Sequence, residues 1–176
     1  MNNITRFEKV SFEQFKKDFE KTLMNDDDLM IENNTNIKKI YDSIQLPKRA
    51  TKGSAGYDFF SPITFYLNPE DVITIPTGIR CKMNDGLVLM LFPRSGHGFK
   101  TGSKLSNTIG VIDEDYYISD NEGHIMVKLE NNSPIRKTLE VESGKGFCQG
   151  VLLHYATTCD DYASEKRNGG FGSTGK

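Results

Sequence analysis

Tryptophan is absent from the 176 residues, and cysteine and histidine occur three times each. Cys81, Cys148 and Cys159 are an odd set with no close pair. That argues against a disulfide framework and against a zinc site. It suits a reducing compartment in which each thiol is a small buried apolar residue. His97, His124 and His154 stand at no metal-ligand spacing and read as ordinary polar side chains. No apolar run approaches the length of about 20 residues that a membrane helix needs, and no signal peptide opens the chain. A cytoplasmic protein with no membrane partner is expected. The net charge of −2 provides no global positive field, so direct nucleic-acid binding is not expected.

What is present is a chain with 36% hydrophobic and 26% charged residues, long enough for one domain plus an appendage. Near its start, Ser11 and Gln14 have capping-box spacing. Phe12, Phe15, Phe19 and Leu23 then recur on one face, with acids and lysines on the other. This predicts an amphipathic helix that Asn25 and the acids at 26–28 stop. Such a short helix needs a surface to pack on. The main domain's own surface is the expected one, and a partner protein is the alternative. Residues 29–43 read either as a second short helix or as a linker. Residues 1–44 thus form a helical extension.

From Gln45 the texture changes. Short strand-like runs at 71–75, 87–92, 124–129, 138–141 and 147–155 alternate with turn signals, and no long helical pattern interrupts them. Ile125, Val127 and Leu129 alternate with Met126, Lys128 and Glu130, as in a half-buried strand. Residues 45–165 are therefore expected to form an all-β sandwich or jelly roll. The remainder, 166–176, reads KRNGGFGSTGK and has little reason to order alone. It matches GxxxxGK, but no Ser or Thr follows and no helix can, so it is not a nucleotide-binding P-loop. Its chemistry still suits phosphate. Glycine-rich backbone wraps N–H groups around an anion, Ser173 and Thr174 add hydroxyls, Arg167 adds charge, and Phe171 offers a ring to a base.

Residues 107–117, NTIGVIDEDYY, carry the densest chemistry. An apolar run of Ile109, Val111 and Ile112, cut by Gly110, ends in Asp113, Glu114 and Asp115, and then Tyr116 and Tyr117. An acid at a strand end is held firmly and suits a general base. A strand meeting a polar turn is the plainer alternative.

Five stretches, correctly ordered and spaced, resemble the five motifs of the trimeric dUTPase family: AGYDFFS at 55–61, PRSG at 93–96, NTIGVIDEDYY at 107–117, GKGFCQG at 144–150 and RNGGFGSTG at 167–175. The extra residues 118–122 resemble a bacterial and phage subgroup, which would make the location a host cytoplasm if a phage encodes the chain. The resemblance implies a jelly-roll homotrimer that hydrolyses dUTP to dUMP and pyrophosphate with Mg²⁺. It also implies sites shared between chains and a flexible C-terminal arm.

By the same resemblance, Asp113 is the base that holds the attacking water. Glu114 and Asp115 are weaker candidates, because alternation sends at least one of them away. Tyr116 is expected against the deoxyribose, and Asn107 with the main chain near Gly110 at the uracil. Asn107 is equally well explained as a turn cap. Asp58 matches the residue that binds Mg²⁺ through water. Arg94, Ser95 and Gly96 match the phosphate-gripping turn, and Gln149 the polar residue of the fourth motif. Phe171, Gly172, Ser173 and Thr174 match the arm, with either Lys166 or Arg167 at the γ-phosphate; Arg167 is chosen for its planar fork.

Three departures stand out. Lys145 and Gly146 replace an acid and an arginine, His97 and Gly98 replace apolar residues, and Arg167 lies four rather than five residues before Phe171. Two other readings exist. A dCTP deaminase shares the fold, but Glu130 lacks the Thr-Leu-Glu context that enzyme needs. A nucleotide-responsive binding protein would use the extension and the 118–122 insert as contact surfaces for a regulatory partner.

Overall fold

Along residues 125–130, Ile125, Val127 and Leu129 are buried while Met126, Lys128 and Glu130 face outward, so the alternation seen in the sequence is realised. The computed structural model describes residues 4–24, 36–165 and 167. Its elements are β1 (Arg6–Lys9), α1 (Phe12–Phe19) running into a π turn (Glu20–Met24), α2 (Ile37–Ser43), β2 (Lys48–Arg49), β3 (Tyr57–Phe60), β4 (Phe65–Leu67), β5 (Val72–Pro76), β6 (Ile79–Lys82), β7 (Leu87–Pro93), α3 (Ser95–Thr101), β8 (Ser103–Leu105), β9 (Gly110–Ile112), a 3₁₀ turn (Glu114–Ile118), β10 (Met126–Asn131), β11 (Leu139–Val141) and β12 (Gly146–His154).

Every strand pair is antiparallel. One sheet has the order β2-β3-β12-β7-β9 and a second the order β5-β10-β8, with ribbons β4-β11 and β1-β6. Neighbours distant in sequence, such as β3 beside β12, are the crossovers of a jelly roll, as expected. β12 lies near the middle of the larger sheet, and its Phe147 and Cys148 are buried, so one apolar strand pins β3 and β7 on either side.

The extension packs into this core. Phe15, Phe19 and Leu23 are each 0% exposed and share one apolar cluster with Ile75, Ile79 and Ile125. Phe12 lies at the margin, half-buried, with its ring edge against Tyr41 of α2. Ser11 caps α1 by accepting the Gln14 N–H at 3.1 Å. The reciprocal half of the capping box is not made by Gln14. Glu122 makes it, accepting the Ser11 N–H at 2.8 Å and the Ser11 hydroxyl at 2.6 Å. Of the ambiguous stretch 29–43, residues 37–43 are helical; the expected stop at 25–28 lies outside the described residues.

Other expectations need correction. α3 forms inside the β domain although its sequence, SGHGFKT, holds two glycines; Thr101 Oγ1 donates to the His97 carbonyl, and Gly102 closes the helix at φ 68°. Cys159 is exposed, whereas Cys81 and Cys148 are buried as expected. His124 is no ordinary polar residue. It is fully buried, its Nδ1 lies 2.6 Å from Asp18 Oδ2, and its Nε2 accepts the Gly78 N–H at 2.8 Å.

Candidate active site

β7, β12 and β3 build the first half of the site. Asp58 on β3 stands opposite Gln149 on β12, which stands opposite Phe92 on β7. Pro93 ends β7, so the chain turns and presents Arg94, then the exposed Ser95 and Gly96 at the start of α3. Arg94 Nε lies 3.2 Å from Asp58 Oδ1, and Nη1 donates to the Gly146 carbonyl at 3.0 Å. His97 Nε2 donates to the same carbonyl at 3.2 Å. A Cβ at residue 146 would come within 2.7 Å of Arg94 Nη1. Glycine at this position is therefore what lets the guanidinium lie down here, and the ion pair of this neighbourhood is Asp58–Arg94. Gln149 finds its partner in a neighbour, donating Nε2 to the Pro93 carbonyl at 3.3 Å.

The 107–117 stretch builds the second half. Asn107 and Thr108 form the turn between β8 and β9, with Thr108 at φ 65° and the Ile109 N–H donating to the Asn107 carbonyl at 2.7 Å. Gly110 lies against Leu91, whose Cβ would stand 3.0 Å from any Cβ added there. Asn107 and Gly110 line a cavity of about 730 Å³ whose apolar wall includes Leu91, Leu105, Ile112 and Val127. A mostly apolar cleft of this size with a few polar groups is typical of small-molecule sites.

At the other end of β9 the three acids separate. Glu114 accepts the Gly86 N–H at 2.8 Å and is used structurally. Asp113 and Asp115 both remain exposed, and Arg167 bridges them, its Nη1 at 2.8 Å from Asp113 Oδ2 and 2.8 Å from Asp115 Oδ1. The Arg167 guanidinium also lies over the Tyr116 ring, 5.2 Å from its centroid. Tyr116 is only 3% exposed, and its hydroxyl donates to the His124 carbonyl at 2.8 Å. The side chain expected at the γ-phosphate thus rests on the residues expected to meet the water and the sugar. Lys166, Phe171, Gly172, Ser173 and Thr174 lie outside the described residues.

The two halves do not meet within one chain. β3 and β9 are separated by β12 and β7. Asp58 is level with Phe92, whereas Asp113 follows Ile112, the partner of Leu89. Three strand spacings across and about four residues along put the two backbones roughly 20 Å apart.

The structure adds residues that no motif pointed to. Gln14, Lys17, Asp18, Lys21 and Thr22 of the N-terminal extension line the same cavity as Asn107, and Asp120 and Asn121 of the insert join them. Of these, only Lys17, Asp18 and Lys21 were legible beforehand, as polar-face residues of the predicted helix.

The dUTPase family model matches residues 42–175. The deoxyuridine 5′-triphosphate nucleotidohydrolase of Lactococcus lactis is 41% identical over 135 residues, spanning 75% of this chain and 89% of the relative. That of Hahella chejuensis is 38% identical over 148 residues, 78% and 91% of the two chains. Among solved structures, the dUTPase of Streptococcus mutans superposes with a TM-score of 0.57 at 37% identity, over 64% of this chain and 88% of that one. A dUTPase mutant from phage phi11 of S. aureus, described with a structural Mg(II) ion, gives 0.55 at 25% identity over 69% and 90%. The five motifs, the crossed antiparallel sheets and these matches agree: the chain belongs to the dUTPase family.

Proposed function

We propose that this protein hydrolyses dUTP to dUMP and pyrophosphate. One observation carries the reading beyond the family match. Along β9, Gly110 in the wall of the cavity lies three residues, about 10 Å, from Asp113. That span is comparable with the one from a pyrimidine base to its α-phosphate. With uracil in the cavity, the α-phosphorus comes to Asp113.

Asp113 holds a water in line with the bond between the α-phosphorus and its bridging oxygen. As the water oxygen bonds to phosphorus, its proton passes to the Asp113 carboxylate. The bridging bond breaks, and its electron pair leaves with pyrophosphate. The Arg94 guanidinium offsets the charge that develops on the leaving group, and the Ser95 hydroxyl donates a hydrogen bond to it. Arg167 leaves Asp113 and Tyr116 when nucleotide arrives, freeing the carboxylate for the in-line water and the ring for the sugar, and takes the γ-phosphate.

Magnesium fits the residues present. Among the described residues no group of three or more potential metal-ligating side chains occurs, so none of these residues forms an all-protein cage. A single carboxylate, Asp58, beside a phosphate-binding arginine suits an ion held mainly by triphosphate oxygens and water. Such an ion supplies charge neutralisation to the triphosphate when bound.

The separation of Asp58 from Asp113 supports a site completed by a neighbouring subunit of a homotrimer. An apolar strip on the outer face of the larger sheet supports it too: Val111 pairs with Met90, Met90 with Val151, and Val111 and Leu153 are 53% and 45% exposed. The direct test is pyrophosphate release from dUTP, dCTP, dTTP and UTP. Hydrolysis confined to dUTP supports the reading, and comparable kcat/KM for dUTP and UTP overturns it.

A further inference from the structure

The cavity holding Asn107 and Gly110 is also lined by α1 and the turn after it, which lie outside the stretch matching the family model. α1 reaches it with Asp18, and this side chain is unusually well fixed. His124 is fully buried and accepts the Gly78 N–H on Nε2, so its ring proton sits on Nδ1 and is donated to Asp18 Oδ2 at 2.6 Å. Gln14 Nε2 donates to the same oxygen at 2.7 Å. Both donors thus converge on one oxygen. The other, Oδ1, has no hydrogen-bond partner among the described residues, although Asp18 lines the cavity.

We propose that α1 forms one wall of the nucleotide pocket, and that Asp18 is a specificity-determining residue accepting a hydrogen bond from the nucleoside end of the substrate. The proposal rests on the reading of this cavity as the base end of a dUTP site. Asp18 shares this cavity with Leu91, Leu105 and Ile112, and its Oδ1 is not sealed from solvent, so a ligand donor would take the place of a water there. Burial alone would raise the Asp18 pKa, but the hydrogen bonds from His124 and Gln14 outweigh it and hold the group below the ordinary carboxylate range. The acceptor is therefore charged at neutral pH. Lys17 and Lys21 line the same cavity, and the Lys17 ammonium favours that charge. Two donors exist at the nucleoside end of a deoxyuridine nucleotide, the N3–H of the base and the 3′-hydroxyl of the sugar. Either would be read by an acceptor whose position is fixed by a core histidine.

Asp18→Asn tests this in the full-length protein. The amide keeps an oxygen for His124 and Gln14 and turns the cavity-facing atom from acceptor into donor. The dissociation constant of dUMP and the KM for dUTP should both rise about tenfold or more, with kcat within about twofold. Two further probes identify the donor, 2′,3′-dideoxyuridine monophosphate and N3-methyl-dUMP. One of them should bind wild type and variant equally. An unchanged dUMP affinity in a variant that melts like wild type overturns the proposal. So does an equal loss for dUMP and both probes, which a general disturbance of structure would give. If Asp18→Asn does not fold, Lys21→Trp replaces an exposed side chain and fills the cavity from the extension's side. It should raise KM by the same order, and an unchanged KM overturns the proposal. A wild-type protein that neither binds dUMP nor releases pyrophosphate from dUTP refutes the functional reading instead.

Discussion

Arg167 Nη1 lies 2.8 Å from Asp113 Oδ2, so the residue proposed to activate water is ion-paired with a cation from its own chain. Arg167 also touches Asp115 and the Tyr116 ring, so one side chain occupies the places proposed for water and sugar. The proposed route for nucleotide therefore has Arg167 give up these contacts as the γ-phosphate arrives.

Asp113→Asn keeps the shape of the side chain and removes the proton acceptor. Turnover of dUTP should fall by about 10²–10⁴ while dUMP binding stays within a few-fold. Glu114→Gln, which alters the group bound to the Gly86 N–H, should keep kcat near wild type. Near-normal turnover by Asp113→Asn would move the base to Asp115.

Arg167→Ala frees Asp113 of its ion pair and deletes the proposed γ-phosphate contact. Losing one charge-assisted contact should lower kcat/KM for dUTP about ten- to a hundredfold. Binding of dUMP, which has no γ-phosphate, should not weaken. Equal losses for both nucleotides in parallel titrations would place Arg167 at the sugar instead.

Phe19→Ala tests whether the extension is part of the core. Phe19 is 0% exposed and packs on Phe15 with ring centroids 5.5 Å apart. Its truncation should cost about 3–5 kcal/mol in denaturant unfolding, with a single transition for the whole chain. A loss below about 1 kcal/mol would mean the extension is loosely attached.

Glu122 gives a pH-dependent test of the contact between insert and extension. Burial would raise its pKa, but hydrogen bonds from the Ser11 hydroxyl and N–H outweigh burial and hold it below its ordinary value of 4.5. A folded-state value below the unfolded one stabilises above pH 4.5, and that stabilisation is lost as the pH falls through the lowered value. Glu122→Gln should therefore cost about 1–2 kcal/mol near neutral pH. Its melting temperature should converge on that of wild type in acid. A gap that persists unchanged well below pH 4.5 would show that the charge of Glu122 contributes nothing.

What was legible in the sequence followed from local rules. β5, β7, β10, β11 and β12 announced themselves through apolar runs and alternation, and Ser11 through its capping position. β9 was legible only as the short apolar run that ends at Asp113; β8, three residues long, showed no such run, and α3 is held by Thr101, Gly102 and its packing rather than by propensity. The partner of Ser11 turned out to be Glu122, 111 residues away, and that of Asp18 to be His124, 106 residues away. No spacing rule reaches such pairs. For the site, the motifs pointed to Asp58, Arg94, Asn107 and Asp113, yet only the fold separates Glu114 from its neighbours and brings the extension to the cavity.

The central claim is that one site needs Asp58 and Arg94 from one chain and Asp113 from another. Mixing two inactive proteins tests it most directly: Asp113→Asn, and the double variant Asp58→Asn/Arg94→Ala, unfolded together and reassembled. Random assembly into closed rings gives roughly a quarter of the sites both intact halves. Pyrophosphate release from dUTP should recover to about that fraction of wild type. Mixed oligomers, confirmed by native mass, that remain as inactive as either parent would contradict the account and place the whole site within one chain.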